Sequence, residues 1–292
     1  MNRHIRNVFA AVFQHPSETI IKLSLRGKLV VFLFHDVNDK PSRFCRDNNI
    51  WISEKKFKDC LTFLTDIFDF PHPSDLLCAK GYRGHKRNAI LTFDDCWASI
   101  YDAVEICNQN AQITPIVFVN GETLEKSVDA SAQASFDKKL HMCSFNTFQG
   151  PLLREREIAE MLEHKDVLFA SHLYSHVSAK NIDLNLFIEL VSKNKEYLDS
   201  RFHEKQMKSA FAFPFGAENI NFDFTHLEVL RNTECINYEL IFSADVGVNR
   251  FSDLKLRPIK RIHVTEDFGT KRMLIYLIMR AIIKDLIRRS VK

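Results

Sequence analysis

Glycine is scarce in this 292-residue sequence, with 8 residues at positions 27, 81, 84, 121, 150, 216, 247 and 269. None of their spacings makes GxGxxG, GxxxxGKS/T or GxSxG, so neither a glycine-rich phosphate cradle nor a serine nucleophile elbow is encoded. A pairing pattern for cysteine is also missing. The 7 Cys, at 45, 60, 78, 96, 107, 143 and 235, are odd in number and no two stand at CxxC spacing. That excludes a zinc ribbon and a complete disulfide framework, and it predicts free thiols in a reducing compartment. Charge of one sign is lacking: 40 Lys and Arg against 37 Asp and Glu leave only +3, too little for the concentrated basic face of a nucleic-acid binder. Long apolar runs are absent as well. Near the N-terminus Val8–Phe13 is interrupted by Gln14 and His15, short of the roughly 7–15 residues of a signal-peptide core. No run reaches the roughly 18–20 apolar residues of a membrane span. Together these absences predict a cytoplasmic protein.

What is present is ordinary for a globular chain: 46% hydrophobic and 26% charged residues. The 25 Phe against 6 Tyr and 2 Trp predict a core filled with aromatic rings. Neither internal repeats nor low-complexity linkers occur, which favours one domain with decorated ends. The expected division is an N-terminal extension over 1–28, the domain itself over 29–265 and a basic amphipathic helix over 266–292.

Six apolar runs stop abruptly at polar groups: Leu29–Phe34 before His35-Asp36, Ala89–Phe93 before Asp94-Asp95, Thr114–Val119 before Asn120-Gly121, Val167–Ala170 before Ser171-His172, Ala210–Phe213 before Pro214-Phe215-Gly216, and Leu240–Phe242 before Ser243-Ala244-Asp245. Near-continuous apolar runs of this length are the mark of parallel strands buried on both faces. Between them lie stretches with helical spacing, such as Phe57/Leu61/Leu64, Ile158/Met161/Leu162 and Leu186/Leu190/Tyr197. Alternation of the two predicts a parallel α/β architecture whose functional groups gather at the strand C-termini. The stretch Val128–Leu153 breaks the alternation and is expected to be a long loop or lid over that mouth.

Asp94-Asp95 is the only adjacent Asp pair, and His172 and His176 are the only His pair at i, i+4 spacing among 12 His. Two carboxylates in one mouth repel each other unless a cation neutralises one. The His spacing is expected to put both imidazoles on one helical turn, where they reach one metal. Asp95 with His172 and His176 makes a three-ligand set with an open position, the catalytic rather than the structural arrangement for zinc and similar ions. Taken singly, each element has a plainer account: the Asp pair as a helix cap before Ala98–Val104, and HxxxH as a chance pair.

Thr92-Phe93-Asp94-Asp95, Ser171-His172-Leu173-Tyr174-Ser175-His176 and Phe211-Ala212-Phe213-Pro214-Phe215-Gly216 together resemble, in order and spacing, the polysaccharide deacetylases of carbohydrate esterase family four. Weaker echoes stand at Phe34-His35-Asp36-Val37 and Arg261-Ile262-His263-Val264. The resemblance implies a distorted (β/α) barrel of the polysaccharide deacetylase type, in which one divalent metal (zinc first, with Co, Ni, Mn or Fe as alternatives) activates water to remove an N-acetyl or N-formyl group from an amino sugar. It further implies Asp95, His172 and His176 as metal ligands and Asp94 as general base. His35, Asp36, Pro214 and Phe215 are expected to line the substrate groove.

Two positions depart from the family. Its usual Gly after the Asp pair is Cys96 here, which crowds the turn unless φ is negative. The Arg that many members carry at the start of the third motif, where it steadies the base, is Ala212, so something else must orient Asp94. His263 is either the late general acid or simply an inward strand residue in the alternation Arg261/His263. The physical mechanism needs no family: a bound metal lowers the pKa of its water towards roughly 7, and a neighbouring carboxylate that is not a ligand accepts the proton. A backbone N–H near Cys96-Trp97 would help stabilise the oxyanion.

Two rivals remain at this stage. Two His and one carboxylate also make the facial triad of non-haem Fe(II) oxygenases, though those sites usually sit on antiparallel barrels. A glycan-binding module that lost turnover through Cys96 and Ala212 is the other. The tail Lys271–Lys292 combines an apolar stripe, Ile275, Ile278, Met279, Ile282, Ile283 and Leu286, with Lys271, Arg272, Arg280, Lys284, Arg288 and Arg289. A helix packed on the barrel is favoured; the sharper reading is peripheral contact with the inner face of a membrane. A cytoplasmic enzyme would meet an N-acetylated sugar precursor, nucleotide-linked or lipid-linked, rather than mature polymer.

Overall fold

A computed structural model describes residues 21–82, 87–128, 151–216, 224–233 and 236–290. The expected loop or lid over Val128–Leu153 therefore falls mostly outside the described residues. One eight-stranded sheet organises the chain, built from β1 (Lys28–Phe34), β2 (Asn88–Phe93), β3 (Ile116–Val119), β4 (Leu168–Ser171), β5 (Gln206–Ala212), β6 (Leu240–Phe242), β7 (Asn249–Arg250) and β8 (Ile262–His263). Its order is β8-β1-β2-β3-β4-β5-β6, all parallel, with the short β7 added antiparallel to β1. Ile259 pairs with Phe242 on β6, and three residues later Ile262 pairs with Phe32 on β1. The segment from Ile259 to His263 thus carries hydrogen bonding from the last long strand back towards the first. The sheet curls into a distorted half-barrel, the α/β architecture expected from the sequence.

The apolar runs are continuous because both faces of each strand are covered. Along β1, Leu29 and Val31 fall in one apolar cluster with Phe118, Ala212 and Phe242, while Val30, Phe32 and Phe34 fall in another with the helices. The second cluster holds the predicted aromatic core, with Phe34 against Phe57 at 5.0 Å and Phe169 against Phe202 at 4.4 Å between ring centroids. Helices α1 (Glu54–Thr65), α2 (Ile100–Ala111), α3 (Gly121–Val128), α4 (Glu155–His164), α5 (Leu184–Arg201), α6 (Phe224–Asn232) and α7 (Lys271–Ser290) connect or follow the strands. In α1 the buried residues Phe57, Cys60, Leu61 and Leu64 recur at i, i+3, i+4 and i+7, the stripe of an amphipathic helix. The buried face of α5 is Phe187, Leu190, Val191, Asn194, Tyr197 and Leu198, rotated from the Leu186 face expected, and Leu186 only packs at its margin.

Helix α7 begins where the basic tail was expected. Leu274 to Met279, Ala281 and Ile282 are all buried, so its first turns belong to the core. Ile283 and Leu286, further along, are exposed. No described helix is long and apolar enough to cross a membrane.

Candidate active site

Parallel strands in register bring their C-terminal ends to one rim. Phe34 pairs with Phe93, Val119 with Ser171, and Ser171 with Phe211, so the residues that follow them lie side by side. Asp94-Asp95 leaves β2 there, His172 leaves β4, and Pro214-Phe215-Gly216 follows β5. Asp95 Oδ1 lies 3.0 Å from His176 Nε2 and 3.5 Å from His172 Nε2. One ligand atom from each of these three buried residues falls within 4.8 Å of the others. Asp95 Oδ1 accepts no hydrogen bond of good geometry among the described residues. Two imidazole nitrogens and a carboxylate oxygen converging away from water form a set that suits a divalent cation.

The imidazoles do not sit on a helical turn, contrary to the spacing argument. Residues 172–178 form an irregular loop, and Leu173 is left-handed at φ +64°. That reversal ends the strand and folds the loop back, leaving the two rings 5.4 Å apart. Asp95 (φ +73°), Cys96 (φ +55°) and Phe215 (φ +61°) are also left-handed. Each such non-glycine residue costs on the order of 1–3 kcal/mol, and they cluster on the loops that carry the site. At Cys96 the turn keeps its positive φ in spite of the Cβ, and the side chain is fully buried, its thiol lying 3.8 Å from the Phe118 carbonyl oxygen. At Gly216 (φ +75°) an added Cβ would stand 2.7 Å from the Ala244 Cβ, so this turn needs glycine both for its conformation and for space.

His172 is oriented through its backbone and its far nitrogen. Nδ1 lies 2.9 Å from the Ala212 carbonyl oxygen, which as acceptor makes Nδ1 the protonated nitrogen and leaves the Nε2 lone pair facing Asp95. The Asn120 side chain donates to the carbonyl oxygens of His172 and Leu173. Asn194, fully buried on α5, accepts from Gly121 N at 2.9 Å and donates to Val119 O at 2.9 Å and Ser171 Oγ at 2.8 Å. One helix residue thereby ties together the ends of β3 and β4.

Asp94 stands beside this triad, with Oδ2 3.7 Å from His172 Nε2. Its carboxylate is paired with Arg261, the element absent from Ala212 and supplied instead from the closing segment. Burial alone would raise the Asp94 carboxyl, but Arg261 and His172 outweigh it and hold it below the usual carboxylate range. Asp95 is held well below that range by His176 and His172, against the same burial. His172 shifts upward, because Asp94 and Asp95 outweigh its desolvation.

The other candidates occupy different places. His35 lies 3.8 Å from Asp95 Oδ2 through its Nε2 and packs edge-on against His263 at 4.7 Å. Burial lowers His35, and burial with the neighbouring His35 pushes His263 down to about 3. Asp36 accepts from Ser99 Oγ at 2.7 Å, and the same hydroxyl accepts from Val37 N at 3.0 Å, a clasp between the loops after β1 and β2. Pro214 is buried, while Phe215 is 43% exposed and lies against the His176 ring at 4.5 Å. The sequence reading named Arg261 only in a motif echo and as an inward residue, not as the partner of Asp94, and it missed Asn194. The signal for Asn194 was a polar residue within the apolar stripe of α5.

A family model described as polysaccharide deacetylase matches residues 81–233. Among curated proteins, none matches this sequence. Solved structures with the same fold include the Streptococcus pyogenes deacetylase PplD in complex with acetate, at 18% identity and a TM-score of 0.65 over 86% of this chain and 99% of that one. IcaB from Ammonifex degensii is 21% identical with a TM-score of 0.62 over 86% and 97%. The de-N-acetylase from Aggregatibacter actinomycetemcomitans is 13% identical with a TM-score of 0.63 over 85% and 99%.

Proposed function

The chain belongs to the polysaccharide deacetylase family, and from that premise we propose that it removes an N-acetyl group from an amino sugar by metal-assisted hydrolysis. The observation that carries the reading is the buried group Asp95, His172 and His176 with a second carboxylate, Asp94, held beside it. Those three residues would hold one divalent cation, zinc being the expected one, and the cation would polarise the amide carbonyl and acidify a water. Asp94 takes the proton of the attacking water as its oxygen adds to the carbonyl carbon. The C–N bond then breaks and Asp94 returns the proton to the departing amine, so that acetate and a free amine leave. His263, neutral at physiological pH because burial holds it near 3, is not the acid in this account. The exposed Phe215 ring offers a face on which a sugar stacks.

Both departures that suggested a non-catalytic glycan binder are accommodated: the turn at Cys96 keeps positive φ, and Arg261 pairs with Asp94. The parallel sheet likewise does not support the oxygenase reading. The substrate is proposed to be an intracellular, nucleotide-linked or lipid-linked precursor. The buried free thiols Cys45, Cys60, Cys96 and Cys107 support a reducing compartment. Peripheral contact of α7 with an anionic membrane is part of the same proposal, supported by the exposed Ile283 and Leu286 beyond its packed turns. Deleting residues 271–292 would strip the core, so charge reversal at Arg280 and Arg288 with vesicle sedimentation is the suitable test; unchanged pelleting removes the membrane contact. For the activity, metal content is paired with amine release from a panel of N-acetylated oligosaccharides and sugar precursors. Absence of release from every member at full metal loading would sink the proposal.

A further inference from the structure

Both oxygens of Asp94 are occupied. Arg261 Nη1 donates to Oδ1 at 2.7 Å and Nη2 to Oδ2 at 2.8 Å, a fork that fixes the plane of the carboxylate as well as its place. The guanidinium is itself pinned. Its Nε donates to the Ser243 carbonyl at 2.9 Å just past β6, its carbon stands 5.4 Å from the centre of the Phe118 ring on β3, and its backbone belongs to the segment that closes the sheet. Arg261 is 1% exposed, so water does not share these contacts.

Without that fork Asp94 has another place to go. Its Oδ2 is 3.7 Å from His172 Nε2, and Asp95 Oδ1 is 3.5 Å from the same nitrogen. Two chemically identical, adjacent carboxylates thus approach one imidazole at nearly equal range, and of the two only Asp94 pairs with a guanidinium among the described residues. A carboxylate that coordinates a cation has committed lone pairs that a general base must keep free. We propose that Arg261 is a positioning residue that keeps Asp94 out of the metal's ligand set, and so decides which of the two aspartates is base and which is ligand. This inference rests on the metal reading given above and adds to it the cause of the division.

Cobalt(II) is the probe, because its visible bands follow the number and kind of its ligands. In Arg261→Met the released Asp94 enters the ligand set. The bands then shift and lose intensity, cobalt affinity stays within about twofold or tightens, and kcat on an N-acetylated oligosaccharide falls at least about tenfold with KM within about twofold. Asp94→Asn/Arg261→Met, which removes both members of the buried pair, returns the bands to the wild-type form. If Arg261→Met does not fold, Arg261→Lys serves, since one ammonium keeps the charge but cannot hold both oxygens. In an Asp94→Asn background the Arg261→Lys substitution should cost no further kcat. A merely structural role would lower stability and metal affinity together and leave the bands of the folded fraction unchanged. Identical bands in wild type and the folded Arg261 variant, or kcat losses that multiply across the cycle, overturn the inference alone. Wild-type protein that takes up no cobalt overturns the metal reading and this inference with it.

Discussion

His172 Nδ1 lies 2.9 Å from the carbonyl oxygen of Ala212, the residue at the position where the family resemblance led us to expect an arginine side chain. The backbone at that position therefore still serves the site by fixing the tautomer of the His172 imidazole. The missing side chain is replaced from elsewhere, by Arg261 on the closing segment.

Asp94→Asn should keep the metal and lower kcat by about 10²–10⁴-fold, the usual contribution of a general base. Elemental analysis and single-turnover kinetics check it together. Near wild-type turnover in a metal-replete Asn variant would hand the role of base to another group, with His35 or Asp36 the next candidate.

Metal affinity should weaken in acid. His172 is raised above its ordinary 6.5, because Asp94 and Asp95 outweigh the desolvation that alone would lower it. A raised value means that the metal-free site holds a proton further up the pH scale, and a protonated imidazole has no lone pair to give. As pH falls through that value, the apparent affinity should drop by about tenfold per unit for each proton displaced. Asp94, held below the carboxylate range, stays ionised throughout and adds nothing to this slope. Competition titrations between about pH 6 and pH 8 measure it, and an affinity flat across that range would contradict the assignment.

Asn194→Ala should destabilise the fold by about 3 kcal/mol, because it leaves the Gly121 N–H, the Val119 carbonyl and the Ser171 hydroxyl without their buried partner. Denaturant midpoints at unchanged slope would report the loss. A change below about 0.5 kcal/mol would mean that another group satisfies those atoms.

Phe215→Ala should raise KM about tenfold and leave kcat nearly unchanged, since a stacking face contributes about 1–1.5 kcal/mol to ground state and transition state alike. A fall in kcat with constant KM would instead place Phe215 in the support of His176, against which it lies.

The strands and the grouping of Asp95 with His172 and His176 were legible because their signals are local: an apolar run, then a polar residue at its end. Asp94, Asp95 and His172 follow strands directly, and register alone brings them together. The helical placement of His172 and His176 failed because i, i+4 spacing is equally served by a loop once Leu173 turns left-handed. Arg261 was illegible as a partner. The alternation with His263 indicated an inward side chain, but the carboxylate it meets lies 167 residues earlier and only closure of the sheet brings the two into contact. Cys96 showed the limit of a residue-type rule: a Cβ at positive φ is costly, and the tight packing around it holds it there.

The central claim is most directly tested by acetate release from metal-free protein as zinc is added back. The account predicts activity that rises in proportion to zinc, saturates near one equivalent per chain, and is absent from His172→Ala/His176→Ala at the same zinc concentration. Full release before zinc is added, or from the double His variant, would contradict it.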